Sequence, residues 1–228
     1  MNELERFLAV MEYKPLDRVP NWELGVWPQT RQRWEDEGID QATMHWNWFP
    51  GGGVLDMDPK EFIFFSGAMI PPFEEEVLEE DERTVTFRGP KGRVRKALKE
   101  GAVGGARMSM DQYIRFPVQS MDDWQQIKRR YDPHDAQRYE PNWQILRVQG
   151  WRKRRHPLVF GPNCSTLGFY WFARELMGTE GLSYAWYDQP KLMHDMMDYQ
   201  AEFLIAGARP VLEQTTVEYI CLSEDMAM

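Results

Sequence analysis

A mixed α/β fold, parallel in its main sheet and carrying a small antiparallel insertion, is what the sequence predicts, and three observations predict it. Short apolar runs alternate with stretches of helical periodicity along the chain. Residues 73–98 interrupt that alternation with three extended runs separated by tight turns. Apolar residues make up 43% of the 228, enough to bury a sizeable core, while 28% charged residues suit a solvated surface.

The elements follow in order. Asn2 with Glu5 signals a helix start, and Leu4, Phe7, Leu8 and Met11 recur at helical spacing until Pro15 stops them. A turn over Asp17-Arg18-Val19-Pro20 leads into the short extended segment Asn21-Trp22-Glu23. A second helix covers about Thr30 to Glu37 and closes on Gly38. Met44 to Pro59, with a short aromatic run, then Gly51-Gly52-Gly53 and Val54-Leu55-Asp56-Met57-Asp58, reads as one strand with a flexible loop. That triplet has no following Lys-Ser/Thr, so it is not a phosphate loop. Residues 73–78, 83–88 and 93–98 form a three-stranded meander. Ser120 caps a helix over Met121 to Tyr131, with Asp123 completing a capping box. Another helix runs from about Pro141 to Arg155, and Pro157 to Gly161 is a compact buried strand. Then come a loop, a helix to Met177 and a short helix from Thr179. A long helix runs from Pro190, which suits the first helical position, to about Gln214. Val217 to Leu222 is the last strand.

The charge balance narrows the partners. Net charge is -9, from 27 basic and 36 acidic residues, a field that repels phosphate backbones and argues against nucleic acid. The basic run Arg152 to Arg155 sits at a predicted helix end, where a solvated face complementing the dipole is expected. No apolar run approaches the ~20 residues of a membrane span. Met1 to Glu12 has no basic stretch ahead of an apolar core, so it is not read as a secretory signal. Two cysteines, Cys164 and Cys221, cannot build a disulfide framework, which makes a reducing cytoplasm the expected compartment.

Three separated stretches carry a family likeness. One is Glu5-Arg6-Phe7-Leu8-Ala9-Val10 followed by Pro15-Leu16-Asp17-Arg18-Val19-Pro20. Another is Phe160-Gly161-Pro162-Asn163 through Leu176-Met177-Gly178-Thr179-Glu180 to Tyr187-Asp188-Gln189-Pro190. The last is Glu224-Asp225-Met226-Ala227 after an apolar strand. In this order and spacing, across nearly the whole chain, the set resembles the uroporphyrinogen decarboxylase superfamily. The resemblance implies the N-terminal half of a (β/α)8 TIM-type barrel with the β-meander at 73–98 inserted. Residues 1–228 would be one C-terminally incomplete domain, since about four barrel-type strands are found where closure takes eight. The sequence is then expected to be a fragment or a truncated gene product, with an open edge at Val217 to Leu222 and an apolar patch beside it.

Barrel sites lie in the loops at the C-terminal ends of the strands. That rule selects Trp22 and Glu23 after strand one, and Asp56 and Asp58 after strand two. It adds Asn163, Ser165 and Thr166 after strand three, Tyr170 opening the next helix, and Glu224 and Asp225 after strand four. Tyr170, Glu224, Asp225 and Asp56 are the catalytic candidates, because converging carboxylates raise one another's pKa or recruit a cation. Trp22, Glu23, Asn163, Ser165 and Thr166 are the substrate-binding candidates. For any one carboxylate alone, pairing with a loop amide or an arginine is the stronger reading.

By the resemblance, Tyr170 matches the family's catalytic tyrosine, with Thr166-Leu167 before it and a two-residue insertion after Pro162. The arginine-rich Arg-Gln-Ala-Gly-Arg loop that anchors substrate carboxylates in the decarboxylases has no counterpart, and Arg31 and Arg33 fall on a helix instead. The resemblance therefore implies an enzyme acting on a small-molecule substrate, with corrinoid-linked methyl transfer ahead of uroporphyrinogen III decarboxylation and a non-catalytic binding protein third. Methyl transfer would bring zinc and a corrinoid protein partner; decarboxylation would need no cofactor. Zinc in the thiol-methylating members is held by His and Cys residues of the second half of the barrel. Here no His-x-Cys occurs, His45 and His194 stand alone, and Cys164 and Cys221 are expected to pack inertly. No membrane partner is expected, and a homodimer is compatible with this reading.

Overall fold

Local signals start the fold. The computed structural model describes residues 1–22, 28–39, 56–100, 102–103, 106–107, 110–161, 167–222 and 224. Helix α1 (Glu3–Met11) begins on a complete capping box: the Asn2 side chain accepts from the Glu5 amide, and the Glu5 carboxylate accepts from the Asn2 amide. Helix α2 (Pro28–Asp36) is followed by Gly38 at φ 95°, the left-handed stop expected there. Arg31 and Arg33 pair along α2 with Glu35 and Glu37, one turn on.

Strand β1 (Glu61–Ile63) corrects the sequence reading. Of the stretch from Met44 to Pro59 expected to hold a strand, residues 44–55 lie outside the described residues, Asp56 is a turn residue at φ 47° and Met57 makes an isolated bridge. Two acids and Pro59 divide the apolar pair Val54-Leu55 from the aromatic run that follows, and the ladder forms where Ile63 can be buried.

The meander forms, with β2 (Glu76–Glu80) starting three residues later than predicted and running through Glu79 and Glu80, where a break was expected, and with β3 (Thr84–Arg88) and β4 (Val94–Leu98) antiparallel in sequence order. A short pair, β5 (Ala102–Val103) and β6 (Ala106–Arg107), precedes β7 (Gln112–Arg115), which pairs with β4 and makes the sheet four-stranded. Helix α3 (Met121–Lys128) starts on the Ser120 cap, and a 3-10 turn, Arg129–Tyr131, carries it to the expected end. The helix predicted from Pro141 to Arg155 is two short ones, α4 (Trp143–Leu146) and α5 (Val148–Lys153), divided at Arg147.

Strand β8 (Leu158–Phe160) is buried throughout. Helix α6 (Phe169–Asp188) is broken at Gly178, whose φ of 74° and contact with the Phe116 ring leave no room for a Cβ. Helix α7 (Pro190–Leu212) follows, and β9 (Tyr219–Ile220) closes the order, shorter than predicted. The main sheet runs β1-β8-β9, parallel throughout, with Glu61 opposite Leu158 and Val159 opposite Tyr219. Among the described residues it does not close into a barrel. Helices α6 and α7 lie in the crossover from β8 to β9 and bury Phe172, Leu176, Met193, Met196 and Phe203. Phe65, just past β1, stacks on Phe160 at 5.5 Å and meets Phe203 at 5.3 Å, which joins sheet and helices into one core.

Two further expectations are corrected. Arg152, Lys153 and Arg155 are exposed as expected of a solvated basic face, but Arg154 is not: it forms an ion pair with Glu218 in which both side chains are buried. Together with the bond from Arg152 to the Gln214 carbonyl, that pair ties α5 to the chain entering β9, where the buried carboxylate needs a charged donor. Cys221 is disulfide-bonded, not an inertly packed thiol. No helix among the described residues is long and apolar enough to cross a membrane.

Candidate functional site

The parallel sheet has two ends, and the candidate residues divide between them. At the N-terminal end of β1, Asp58 is 5% exposed and receives two bonds from Arg18, at 2.6 and 2.7 Å. The Asn21 amide adds a third at 2.7 Å, and Arg6 stands at 3.4 Å. Arg6 itself holds Asp17 through two bonds of 2.9 Å. The Arg6, Asp17 and Arg18 of the family-like opening stretch therefore form one clamp that fixes α1 and the following turn under the sheet. The Arg18 bonds, then the Asn21 amide and both guanidinium charges, hold the Asp58 carboxyl below the usual carboxylate range against the opposing effect of burial.

Trp22 belongs to this same end. Its ring lies 5.4 Å from Phe7 and 6.1 Å from Tyr219, the first residue of β9, with the ammonium of the buried Lys60 at 5.0 Å. The indole Nε1 is buried without an acceptor among the described residues. Asp56 is exposed, and its carbonyl accepts from the Asn21 side chain. Because β1 starts at Glu61, Asp56 and Asp58 precede the strand where the sequence reading had them follow it. Both stand away from the loops expected to form a site.

At the other end, β8 runs into Gly161, whose φ of 93° and contact with the Leu167 side chain exclude a Cβ. Past β9, the carboxylate of Glu224 spans the start of α6. It accepts from the amides of Phe169 at 2.6 Å, Tyr170 at 2.8 Å and Trp171 at 3.2 Å. Those are the orphan donors of the first helical turn, and a carboxylate there also meets the positive end of the helix dipole. The loop-amide reading of this acid is the geometry observed. Tyr170 is partly buried against the core, and its hydroxyl has no hydrogen-bond partner among the described residues.

Tyr170 and Glu224 are thus brought together; Trp22 and Asp56 are not brought to them. Glu23, Asn163, Ser165, Thr166 and Asp225 lie outside the described residues. The sequence reading passed over Trp171, whose Nε1 is buried without an acceptor among the described residues and whose ring lies under the Arg174 guanidinium at 4.9 Å. Its signal was position alone, next to Tyr170 in the first turn of α6. Among the described residues no three His, Cys, Asp or Glu side chains come together as a metal centre would require, so no step is derived through zinc.

Set against protein-family models, curated proteins and solved structures, the chain matches none of them.

Proposed function

We propose that this chain is the N-terminal half of a (β/α)8 barrel enzyme of the uroporphyrinogen decarboxylase superfamily, favouring corrinoid-linked methyl transfer with a small-molecule substrate. The observation that carries the reading is the meeting of Tyr170 and Glu224 at the C-terminal end of a parallel sheet, where barrel enzymes do their chemistry. Glu224 is a positioning residue in this scheme: it fixes the first turn of α6 and so the Tyr170 backbone. The Tyr170 hydroxyl, free of protein partners among the described residues, is left to donate to or accept from substrate. Methyl transfer is preferred to decarboxylation because Arg31 and Arg33 pair with acids on α2 and offer no carboxylate anchor after the first turn. A corrinoid protein is the proposed partner.

The test supplies the protein with methylcobalamin and a thiol, and in a separate assay with uroporphyrinogen III. Methyl loss from the corrinoid, read in its visible spectrum and reduced by Tyr170→Phe, is the expected result. Turnover of uroporphyrinogen at roughly 1 per second or faster would replace the proposal with decarboxylation. Inertness in both assays would replace it with a binding protein.

A further inference from the structure

A cavity lined by none of the candidate site residues lies between the meander and α3. It measures about 350 Å³, and three arginines, Arg88, Arg115 and Arg130, line it with the rings of Phe73 and Phe116. Arg130 is fixed: it donates to the carbonyls of Pro71 at 2.7 Å and Pro72 at 3.1 Å, and its guanidinium lies 4.2 Å over the Phe73 ring. Arg88 meets Glu76 through one terminal nitrogen at 2.8 Å, while its Nε is buried with no acceptor among the described residues. Arg115 is exposed, and its side chain has neither ion pair nor hydrogen bond among the described residues.

The one carboxylate in the lining, Asp123, is already engaged, accepting from the Gln119 amide at 3.0 Å and the Ser120 hydroxyl at 2.9 Å. Phe116 cannot swing away, since it stacks on Tyr113 at 5.4 Å and fills the space over Gly178. The lining sets three guanidiniums against one carboxylate, an excess of positive charge even with Glu76 on Arg88, and a buried N–H without an acceptor is costly. One anion relieves both. Guanidinium forks match the planar or tetrahedral oxygens of a carboxylate or phosphate, and the two phenyl rings suit a flat apolar body.

We infer that this pocket binds a small organic anion, its carboxylate or phosphate group on Arg88 and Arg115 and its apolar part against Phe73 and Phe116. The inference does not depend on the proposed activity, and its test reads binding alone. Benzoate and phenyl phosphate are titrated separately into the protein by calorimetry, with inorganic phosphate as a third probe. Saturable binding of at least one aromatic anion, tighter than about 1 mM, is expected, with inorganic phosphate weaker; the tighter aromatic probe identifies the acidic group. Arg115→Gln, which breaks no contact, should weaken binding about tenfold or more with an unchanged melting curve, and Arg33→Gln should leave binding as it was. No saturable binding, or equal effects of the two substitutions, would overturn the inference.

Discussion

At the scale of single residues, buried charge does more of the assembly than the apolar pattern suggests. Arg138 is fully buried, and its guanidinium donates to the carbonyls of Ser66, Ala68, Arg130 and Asp132. It joins the loop after β1 to the end of α3 where backbone oxygens would otherwise go unpaired. Asp58 plays the corresponding acidic part at the foot of the sheet. Its carboxyl is held below the ordinary 3.8, chiefly by Arg18. A depressed carboxylate stabilises the fold fully above its unfolded value, and that contribution is lost as pH falls through the folded value. Stability should therefore decline steeply below about pH 4. Asp58→Asn should cost about 3–5 kcal/mol at neutral pH, because Arg6 and Arg18 lose a buried partner, and should flatten the acid limb. Denaturant unfolding at pH 7 and at pH 3.5 reads both effects; an acid slope as steep in the variant would show that other carboxylates set it.

At the scale of elements, what was legible in the sequence was local. Asn2 with Glu5, Ser120 with Asp123, Pro190 and Gly178 each act within one turn of chain, and the structure has a cap, a helix start or a break at every one of them. Leu158-Val159-Phe160 was legible because a strand buried on both faces must be apolar throughout. Strand β1 was not, since acids and a proline ahead of it resembled a strand followed by site residues. Strand β7 escaped notice because Gln112 to Arg115 is exposed along its whole length and is held by pairing with a strand about 20 residues earlier. The Glu224 cap of α6 crosses 53 to 55 residues, beyond any spacing rule, so the acid was legible as a candidate but its amide partners were not. That cap makes a prediction at its own scale. Glu224→Ala should lower stability by about 1–2 kcal/mol through loss of the three amide bonds and the dipole interaction. Amide exchange should quicken first in the opening turn of α6, and faster exchange confined elsewhere would contradict the assignment.

For the whole molecule, the open side of the parallel sheet is the feature with the largest consequence. Among the described residues β9 is the outer strand of the order β1-β8-β9, and beside it a groove of about 530 Å³ runs between β9 and α7. Its walls are apolar, and Ile205, Leu212, Ile220 and Leu222 are each about half exposed along it. An edge strand with unpaired backbone groups and an apolar flank favours pairing with another chain. Natural edges avoid this with lysine or by cover, yet among the described residues the charged ones in the groove lining are Arg209 and Glu213. The protein should therefore bind a dye that reports exposed apolar surface, and should self-associate as its concentration rises. Introducing charge at the solvent-facing positions, Ile220→Lys together with Leu212→Lys, should suppress both while leaving the melting temperature within a few degrees, since neither side chain is buried in the core. Light scattering and dye fluorescence on the two proteins decide the matter. A protein that is monomeric and dye-silent before the substitutions would mean that this face is stable in water as it stands.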